Sequence, residues 1–147
     1  MTYVDREEAV ARLRSARVGR LATVTPEGRP HVVPFVFALV HDGTDLRAYW
    51  AVDRKPKRSS RIQRLENLEA NPAAEVIVDG YDEDWRRLWW VRAAGSGRIV
   101  GSDAERSLAL EALKAKYPQY EAEPPDGPVV AIDLERITSW SGAKEGG

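Results

Sequence analysis

The hydrophobic pattern of the chain is mainly that of β-strands, and its most apolar part is a hairpin near the amino terminus. The first arm runs from Gly19 to Thr25, the second runs from His31 to Val40, and Pro26-Glu27-Gly28 joins them. Proline fixes φ at the first corner of such a turn, and glycine readily supplies the positive φ that closes it. The pattern therefore predicts two antiparallel strands joined by a tight turn.

The second arm is apolar on both of its faces. Val33 and Phe35 occupy one face, and Val32 and Val36 occupy the other. We expect such a strand to be covered on both sides, in a barrel or under a subunit contact. Because Pro34 cannot donate to a strand ladder, one edge of this strand should be free, bulged or open to a ligand.

The remaining elements follow from alternating apolar positions for strands and from capped, periodic segments for helices. We predict helices over residues 5–16, 57–70 and 102–116, and further strands over residues 46–52, 74–79, 88–100 and 129–140. The third helix has Leu108, Leu110 and Leu113 as its apolar positions, and Gly95 and Gly97 mark a flexible point in the longest strand. Six strands with short helices favour a mostly β (α+β) fold, an antiparallel barrel in one domain over residues 1–147.

Composition narrows the classes of function. The chain has 147 residues, no cysteine and a formal net charge of −1, so thiol chemistry is excluded and nucleic-acid binding is disfavoured. No apolar run approaches the roughly 20 residues that span a bilayer. The amino terminus carries acids where a secretion signal has a basic start, so we expect a cytoplasmic protein with no membrane partner.

Catalytic constellations are largely missing from the sequence. The two histidines, His31 and His41, show no metal-ligand spacing, so we expect no metal site. No serine lies in a G-x-S-x-G turn, and a Ser-His-Asp arrangement has no support. The sequence therefore offers no side-chain constellation that would carry out catalysis.

A cationic segment covers residues 53–64. It contains one acid, Asp53, and six cations: Arg54, Lys55, Lys57, Arg58, Arg61 and Arg64. One interpretation is a solvated basic helix face. Positive charge near a helix start opposes the helix dipole, however, so an anionic ligand that binds there explains the segment better.

Tryptophans form the second unusual group. Trp85, Trp89 and Trp90 lie within six residues of one another, and Trp89 and Trp90 point to opposite faces of the predicted strand. At most one of this pair fits in a monomer's core. The other is expected to cover a partner subunit or a flat ligand.

Four segments carry a family resemblance. They are GRLATVTPEGRPHVVPFVF at 19–37, LENLEANPAAEVIVD at 65–79, WVRAAGSGRIV at 90–100 and ITSWSG at 137–142. In this order and spacing they resemble the split β-barrel flavin- and deazaflavin-binding proteins related to pyridoxamine 5′-phosphate oxidase. Within that family the chain is most similar to the branch that uses the deazaflavin coenzyme F420.

The resemblance implies an FMN-binding split barrel of six antiparallel strands, assembled as a homodimer with two cofactor sites at the subunit interface. It implies that the backbone of Val33, Pro34, Phe35 and Val36 lies along the cofactor ring. The anionic tail would bind Lys55, Lys57, Arg58 and Arg61, and Trp90 and Arg92 would contribute to the same site.

The function that follows is F420-dependent hydride transfer to a planar conjugated acceptor. Six cations suit a polyglutamate tail better than the single phosphate of FMN. The acceptor is expected near Trp85 or Trp90, with His31 or Tyr81 as a proton donor if either lies within reach. An FMN-binding oxidase or reductase of the same fold, and a non-catalytic carrier of F420 or flavin, remain as alternatives.

Overall fold

The chain forms one antiparallel sheet with helices packed against it. A computed structural model describes residues 5–52 and 60–143, with the backbone alone for residues 60–62. Within these ranges the α-helices are α1 (Arg6–Ser15), α2 (Ser60–Ala70), α3 (Asp103–Lys116) and α4 (Pro118–Ala122). The strands are β1 (Gly19–Val24), β2 (Pro30–Phe35), β3 (Ala38–Asp42), β4 (Asp45–Ala51), β5 (Ala73–Gly80), β6 (Trp89–Ile99) and β7 (Val129–Ser141).

The amino-terminal hairpin is confirmed. β1 pairs antiparallel with β2, and the Gly28 N–H donates to the Thr25 carbonyl at 2.8 Å. Gly28 has a φ of 84°, the left-handed conformation that glycine adopts without strain. In the described sheet β2 is an edge strand, so the free edge expected from Pro34 is also confirmed.

The predicted second arm of the hairpin is wrong in its extent. It breaks after Phe35, and Val36 and Phe37 separate β2 from β3. The sheet order among the described strands is β2-β1-β5-β6-β7-β4-β3, so the two halves of the arm lie at opposite edges. This break makes seven strands rather than the six predicted.

The short link between the two edge strands forces the sheet to curl. Six spacings of about 4.8 Å would place the edges of a flat sheet about 29 Å apart. From Phe35 to Ala38 the chain reaches at most about 11 Å. The sheet must therefore close on itself, and because β2 and β3 share no ladder in the described pairing, the barrel is split between them.

The core fills the inside of this barrel. Phe35 and Phe37 stack with ring centroids 5.0 Å apart, and Leu21, Val76 and Val91 are fully buried.

Within the described ranges, no helix combines the length and apolar character that crossing a bilayer requires.

The helices pack on the barrel largely as expected. The Asp5 side chain caps α1 by accepting from the Glu8 N–H at 2.9 Å. In α2 the buried Asn67 amide donates to the Thr23 hydroxyl at 3.0 Å, which fixes the helix against β1. On α3, Leu113 is buried as predicted, whereas Leu108 is 45% exposed because the inward face of the helix runs through Ala109.

The glycine in β6 serves close packing rather than flexibility. The ladder between β6 and β7 shifts between Ala94 and Gly95, and Glu135 of β7 is left without an opposite residue. At this bulge a Cβ added to Gly95 would lie 2.0 Å from the Asp133 carbonyl oxygen. The bulge therefore requires glycine, and the expected flexible point is replaced by a tight contact.

A polar cluster ties α3 to the sheet. Arg98 of β6 donates two hydrogen bonds of 2.8 Å to Glu105 and two, of 2.7 and 3.2 Å, to Asp133. The buried Tyr49 hydroxyl donates to Glu105 at 2.7 Å. The hydrogen bonds from Arg98 lower the pKa of Glu105 to about 2, and burial raises the pKa of Tyr49 to about 12.

We expect Glu105→Gln to lower the free energy of unfolding at pH 7 by about 1.5–3 kcal/mol, the usual range for hydrogen bonds to a charged group. Because the folded-state pKa of Glu105 is depressed, its stabilisation is complete above pH 4.5 and is lost as the pH falls toward 2. The variant should show a flatter decline over that interval in urea unfolding. Glu111→Gln, which breaks only a surface pair with Lys114, is the control, and an equal loss there would contradict the expectation.

Candidate functional site

The gap between β2 and β3 is where the barrel wall is open. Phe37 lies in this gap, and its N–H donates to the Tyr117 hydroxyl at 3.2 Å. Its carbonyl accepts from Lys116 Nζ at 2.8 Å. The Lys116 and Tyr117 side chains, at the carboxyl end of α3, thus provide hydrogen-bond partners for the two Phe37 backbone groups that no strand ladder pairs. These bonds hold the segment between β2 and β3 in place.

The two side chains that hold the gap have displaced pKa values. Burial, followed by the nearby positive charge of Arg17, lowers the pKa of Lys116 to about 8. Burial also raises the pKa of Tyr117. The Arg17 guanidinium lies 4.8 Å from the Tyr117 ring centroid and donates to the Lys116 carbonyl at 2.9 Å, so the three side chains form one packed unit.

A cavity of about 250 Å³ opens beside this gap, and we call it the crossover cavity. It is lined by Val18, Pro34, Phe35, Val36, Trp50, Ala51, Arg64 and Tyr120. The Arg64 guanidinium carbon lies 4.8 Å from the centre of a Trp50 ring. Mostly apolar and aromatic walls, with Arg64 as the cation among the described lining residues, suit a flat ring that carries polar or anionic groups at its edge.

The cationic segment lies next to this cavity in the chain. Ala51 and Arg64 both line the cavity, and residues 52–63 connect them. Lys55, Lys57 and Arg58 lie outside the described residues. Arg61 belongs to α2 by its backbone, but its side chain is also outside what the structure describes.

A second cavity, of about 230 Å³, lies on the outward face of the sheet, and we call it the outer cavity. Its lining includes Ile77, Asp79, Gly80, Tyr81, Leu88, Trp89, Trp90, Arg92 and Trp140. Trp90 lies directly between Asp79 and Trp140 in the strand ladders, and the Arg92 guanidinium carbon lies 5.3 Å from the centre of a Trp90 ring. This surface therefore combines aromatic faces with one cation and one acid.

The predicted cofactor residues are divided between the two cavities. Pro34, Phe35 and Val36 line the crossover cavity, whereas Trp90 and Arg92 line the outer cavity. Because β1 and β5 lie between β2 and β6, the two groups are about 14 Å apart along the sheet of one chain. The Val33 side chain packs against the core.

The predicted substrate and proton-donor residues are also dispersed. Trp85 lies on a single 3₁₀ turn and is 68% exposed, and Tyr81 is 69% exposed beside the outer cavity. His31 lies on the inward face of β2 opposite Thr23, with a buried Nδ1 that has no hydrogen-bond partner among the described residues. Trp89 packs against the core and Trp90 faces outward, which confirms their predicted separation.

The cavity residues that were not predicted include Trp50, Tyr120, and Arg64 as a wall rather than part of a cationic track. The alternation of β4 assigns Trp50 to the core, and it is indeed buried, but its position just before the cationic segment was an available signal. Tyr120 lies in what the sequence presents as a proline-rich connector and belongs to α4. Within residues 5–52 and 60–143, no group of three His, Cys, Asp or Glu could hold a metal ion.

The outward face of the sheet carries an apolar patch of valines at its β2 edge. Val18, Val32 and Val36 are 45%, 61% and 37% exposed, and the last of these also lines the crossover cavity. The outward faces of β2, β1, β5 and β6 continue from there to Trp90, and they also carry four exposed charged residues: Arg20, Glu75, Asp79 and Arg92. In the described chain this valine patch is therefore open to solvent.

Comparison with known proteins agrees with this architecture. A family model described as pyridoxamine 5′-phosphate oxidase matches residues 5–141. A conserved protein of unknown function from Corynebacterium diphtheriae has a similar structure, with a TM-score of 0.70, 24% identity and 94% of each chain covered. No curated protein matches the chain.

Two further solved structures share the fold and are named for a flavin. A FAD-binding protein from Mesorhizobium loti matches with a TM-score of 0.65 and 22% identity, over 94% of this chain and 95% of that one. A FAD-binding protein from Mycobacterium smegmatis matches with a TM-score of 0.67 and 18% identity, over 95% of this chain and 96% of that one.

Proposed function

The chain belongs to the pyridoxamine 5′-phosphate oxidase family, and we propose that within it the chain is an F420-dependent oxidoreductase that reduces a planar conjugated acceptor. The observation that carries this proposal is the position of the crossover cavity. Two of its lining residues, Ala51 and Arg64, flank a segment with five cations between residues 54 and 61. A flat ring in the cavity would therefore leave its anionic tail beside those cations.

The size of the crossover cavity supports a cofactor whose ring lies inside the cavity and whose tail lies outside it. Ligand pockets usually measure about 300–1,000 Å³. At about 250 Å³, the cavity suits a ring system and not a whole cofactor. Pro34 and Val36 would contact the ring from the barrel edge and Tyr120 from α4, which excludes water from it.

The chain's own residues bind and orient rather than react. A reduced deazaflavin, when bound, supplies the hydride itself. The protein's contribution is to hold the ring and the acceptor at a productive distance, and a rigid barrel edge suits that task. The segment at Phe37 is such an edge, because Lys116 and Tyr117 hold its backbone. Trp90 and Trp140 of the outer cavity offer flat surfaces to a quinone, tetrapyrrole or nitroaromatic acceptor.

The proposal includes a homodimer. In one chain the crossover and outer cavities lie about 14 Å apart along the sheet, and the valine patch around Val32 lies on the outward face beside the crossover cavity. A second copy packed isologously on that face would cover the exposed valines. It would also bring Trp90 and Arg92 of one protomer toward the crossover cavity of its partner.

We expect Val32→Asp to raise the dimer dissociation constant at least about 100-fold, because an unpaired carboxylate in an interface costs several kcal/mol. Sedimentation equilibrium at micromolar concentration measures the effect. Leu108→Asp is the control, since Leu108 is also exposed but lies on α3, which packs on β3 and β4. A wild-type protein that is already a folded monomer, or equal behaviour of the two variants, would contradict the dimer.

A flavin enzyme is the second candidate. Two proteins of the same fold are named FAD-binding, and the walls of the crossover cavity suit the ring of a flavin as well as that of a deazaflavin. Only the length of the cationic segment favours F420, because a single phosphate needs fewer cations than a polyglutamate tail.

Spectroscopic titration with F420 and FMN, followed by assay of reduced F420 with planar acceptors, tests the function. We expect tighter binding of F420 and loss of the reduced-cofactor signal with at least one acceptor. Binding and turnover with FMN alone would show that the protein is a flavin enzyme. Tight F420 binding without turnover on any acceptor would identify a carrier.

A further inference from the structure

The indole nitrogen of Trp50 is a buried donor without an acceptor. Trp50 is 2% exposed near the end of β4, and its indole lines the crossover cavity. Nε1 has no hydrogen-bond partner among the described residues. Nearby, the Phe37 backbone groups are both satisfied by side chains, whereas the Trp50 indole N–H is not.

An unsatisfied donor of this kind needs an explanation. A buried N–H without a partner costs about 1–3 kcal/mol, and such groups are rare in native proteins. A phenylalanine in place of Trp50 would supply an aromatic ring without an unsatisfied N–H donor. Nε1 is closed to bulk solvent and has no acceptor among the described residues, so a molecule that occupies the cavity can supply one if the long Arg64 side chain over the indole rotates to admit it.

The chemistry of the cavity indicates the kind of acceptor. The Trp50 indole and the Arg64 guanidinium are both donors that cannot accept. A ligand edge that meets them must therefore carry acceptors, such as the carbonyl oxygens of a pyrimidinedione ring. Flavin and deazaflavin share that edge, but they differ at position 5, where flavin has an accepting nitrogen and deazaflavin has a C–H.

We propose that the Trp50 Nε1–H donates to a carbonyl oxygen on the pyrimidinedione edge of the bound ring and so fixes the orientation of the ring in the crossover cavity. This inference rests on the proposed function, because it requires a ring of that class. It makes Trp50 a binding residue and not only a core residue. It also predicts that the contact serves F420 and FMN alike.

The test compares wild type with Trp50→Phe and with replacement of Trp50 by benzothienylalanine, which keeps the bicyclic shape but has sulfur in place of the N–H. Affinities for F420 and FMN are measured by titration, and the urea midpoint of the free protein is measured in parallel. We expect the benzothienylalanine protein to lose about 3- to 10-fold in affinity for both cofactors, with a urea midpoint no lower than that of wild type. The indole ¹⁵N–H resonance that is missing from Trp50→Phe should move when either cofactor is added to wild type.

The outcomes separate this inference from the function. Unchanged affinity in both variants, with wild type still binding, would overturn the role of Trp50 and leave the function intact. A loss for FMN alone would assign the contact to the position-5 nitrogen and overturn the carbonyl assignment. Failure of wild type to bind either cofactor would overturn both proposals.

Discussion

Replacing Lys57 and Arg61 together by alanine is expected to weaken the binding of F420 by at least about 100-fold at low ionic strength. Each cation removed is a charge-assisted contact worth on the order of 1.5–3 kcal/mol to an anionic tail, and each 1.36 kcal/mol is a factor of ten. The binding of FMN, with one phosphate, should fall less. Raising the salt concentration should narrow the difference between wild type and variant, since exposed charges are screened.

The double variant Arg6→Ala/Arg29→Ala is the matched control. It changes the net charge equally, and both arginines are exposed at sites away from the crossover cavity. An equal loss of affinity in this control would show that overall charge, and not the cationic segment, attracts the cofactor. An unchanged affinity in Lys57→Ala/Arg61→Ala would make the segment a solvated helix face.

Local signals predicted the elements they directly specify. The Asp5 cap and the Gly28 turn involve neighbouring residues, and both were confirmed. The strand predicted over residues 46–52 was likewise confirmed as β4, with Leu46, Ala48 and Trp50 buried on one face. In each case the residues that form the cap, the turn or the strand face are close in sequence, so the local sequence pattern is enough to predict the element.

The break at Val36 and Phe37 has no such local signal. Both residues are hydrophobic and continue the alternation, and neither is a glycine or proline. The groups that replace the strand ladder at Phe37 come from Lys116 and Tyr117, about 80 residues further along the chain. A tertiary contact therefore decides where this strand ends, and it also created the seventh strand that the sequence pattern did not show.

The candidate site, like the fold, was predictable only where its residues are neighbours in the sequence. Pro34, Phe35 and Val36 belong to one stretch whose interrupted edge already indicated a backbone open to a ligand, and they line the crossover cavity. Trp50, Arg64 and Tyr120 converge on the same cavity from three different elements. Only the curl of the sheet and the docking of α4 bring them together, so their convergence could not be read from spacing.

Gly95→Ala is expected to lower the free energy of unfolding by at least about 3 kcal/mol, or to prevent folding, because overpacking against backbone leaves no flexible group to yield. The new Cβ would lie 2.0 Å from the Asp133 carbonyl oxygen and 2.8 Å from the carbonyl carbon. β6 and β7 would have to separate at the bulge, which lies in the middle of the longest ladder described. Urea unfolding followed by circular dichroism measures the loss.

Two other glycines make this prediction specific to backbone contact. A Cβ at Gly97 would meet the Leu68 side chain at 2.8 Å, and a leucine can change rotamer, so Gly97→Ala should cost less than Gly95→Ala. A Cβ at Gly101 would meet nothing within 4 Å, so Gly101→Ala should be neutral or slightly stabilising. If Gly95→Ala is no more damaging than Gly97→Ala, then the bulge adapts to a side chain and the glycine is not what holds β6 and β7 together at this point.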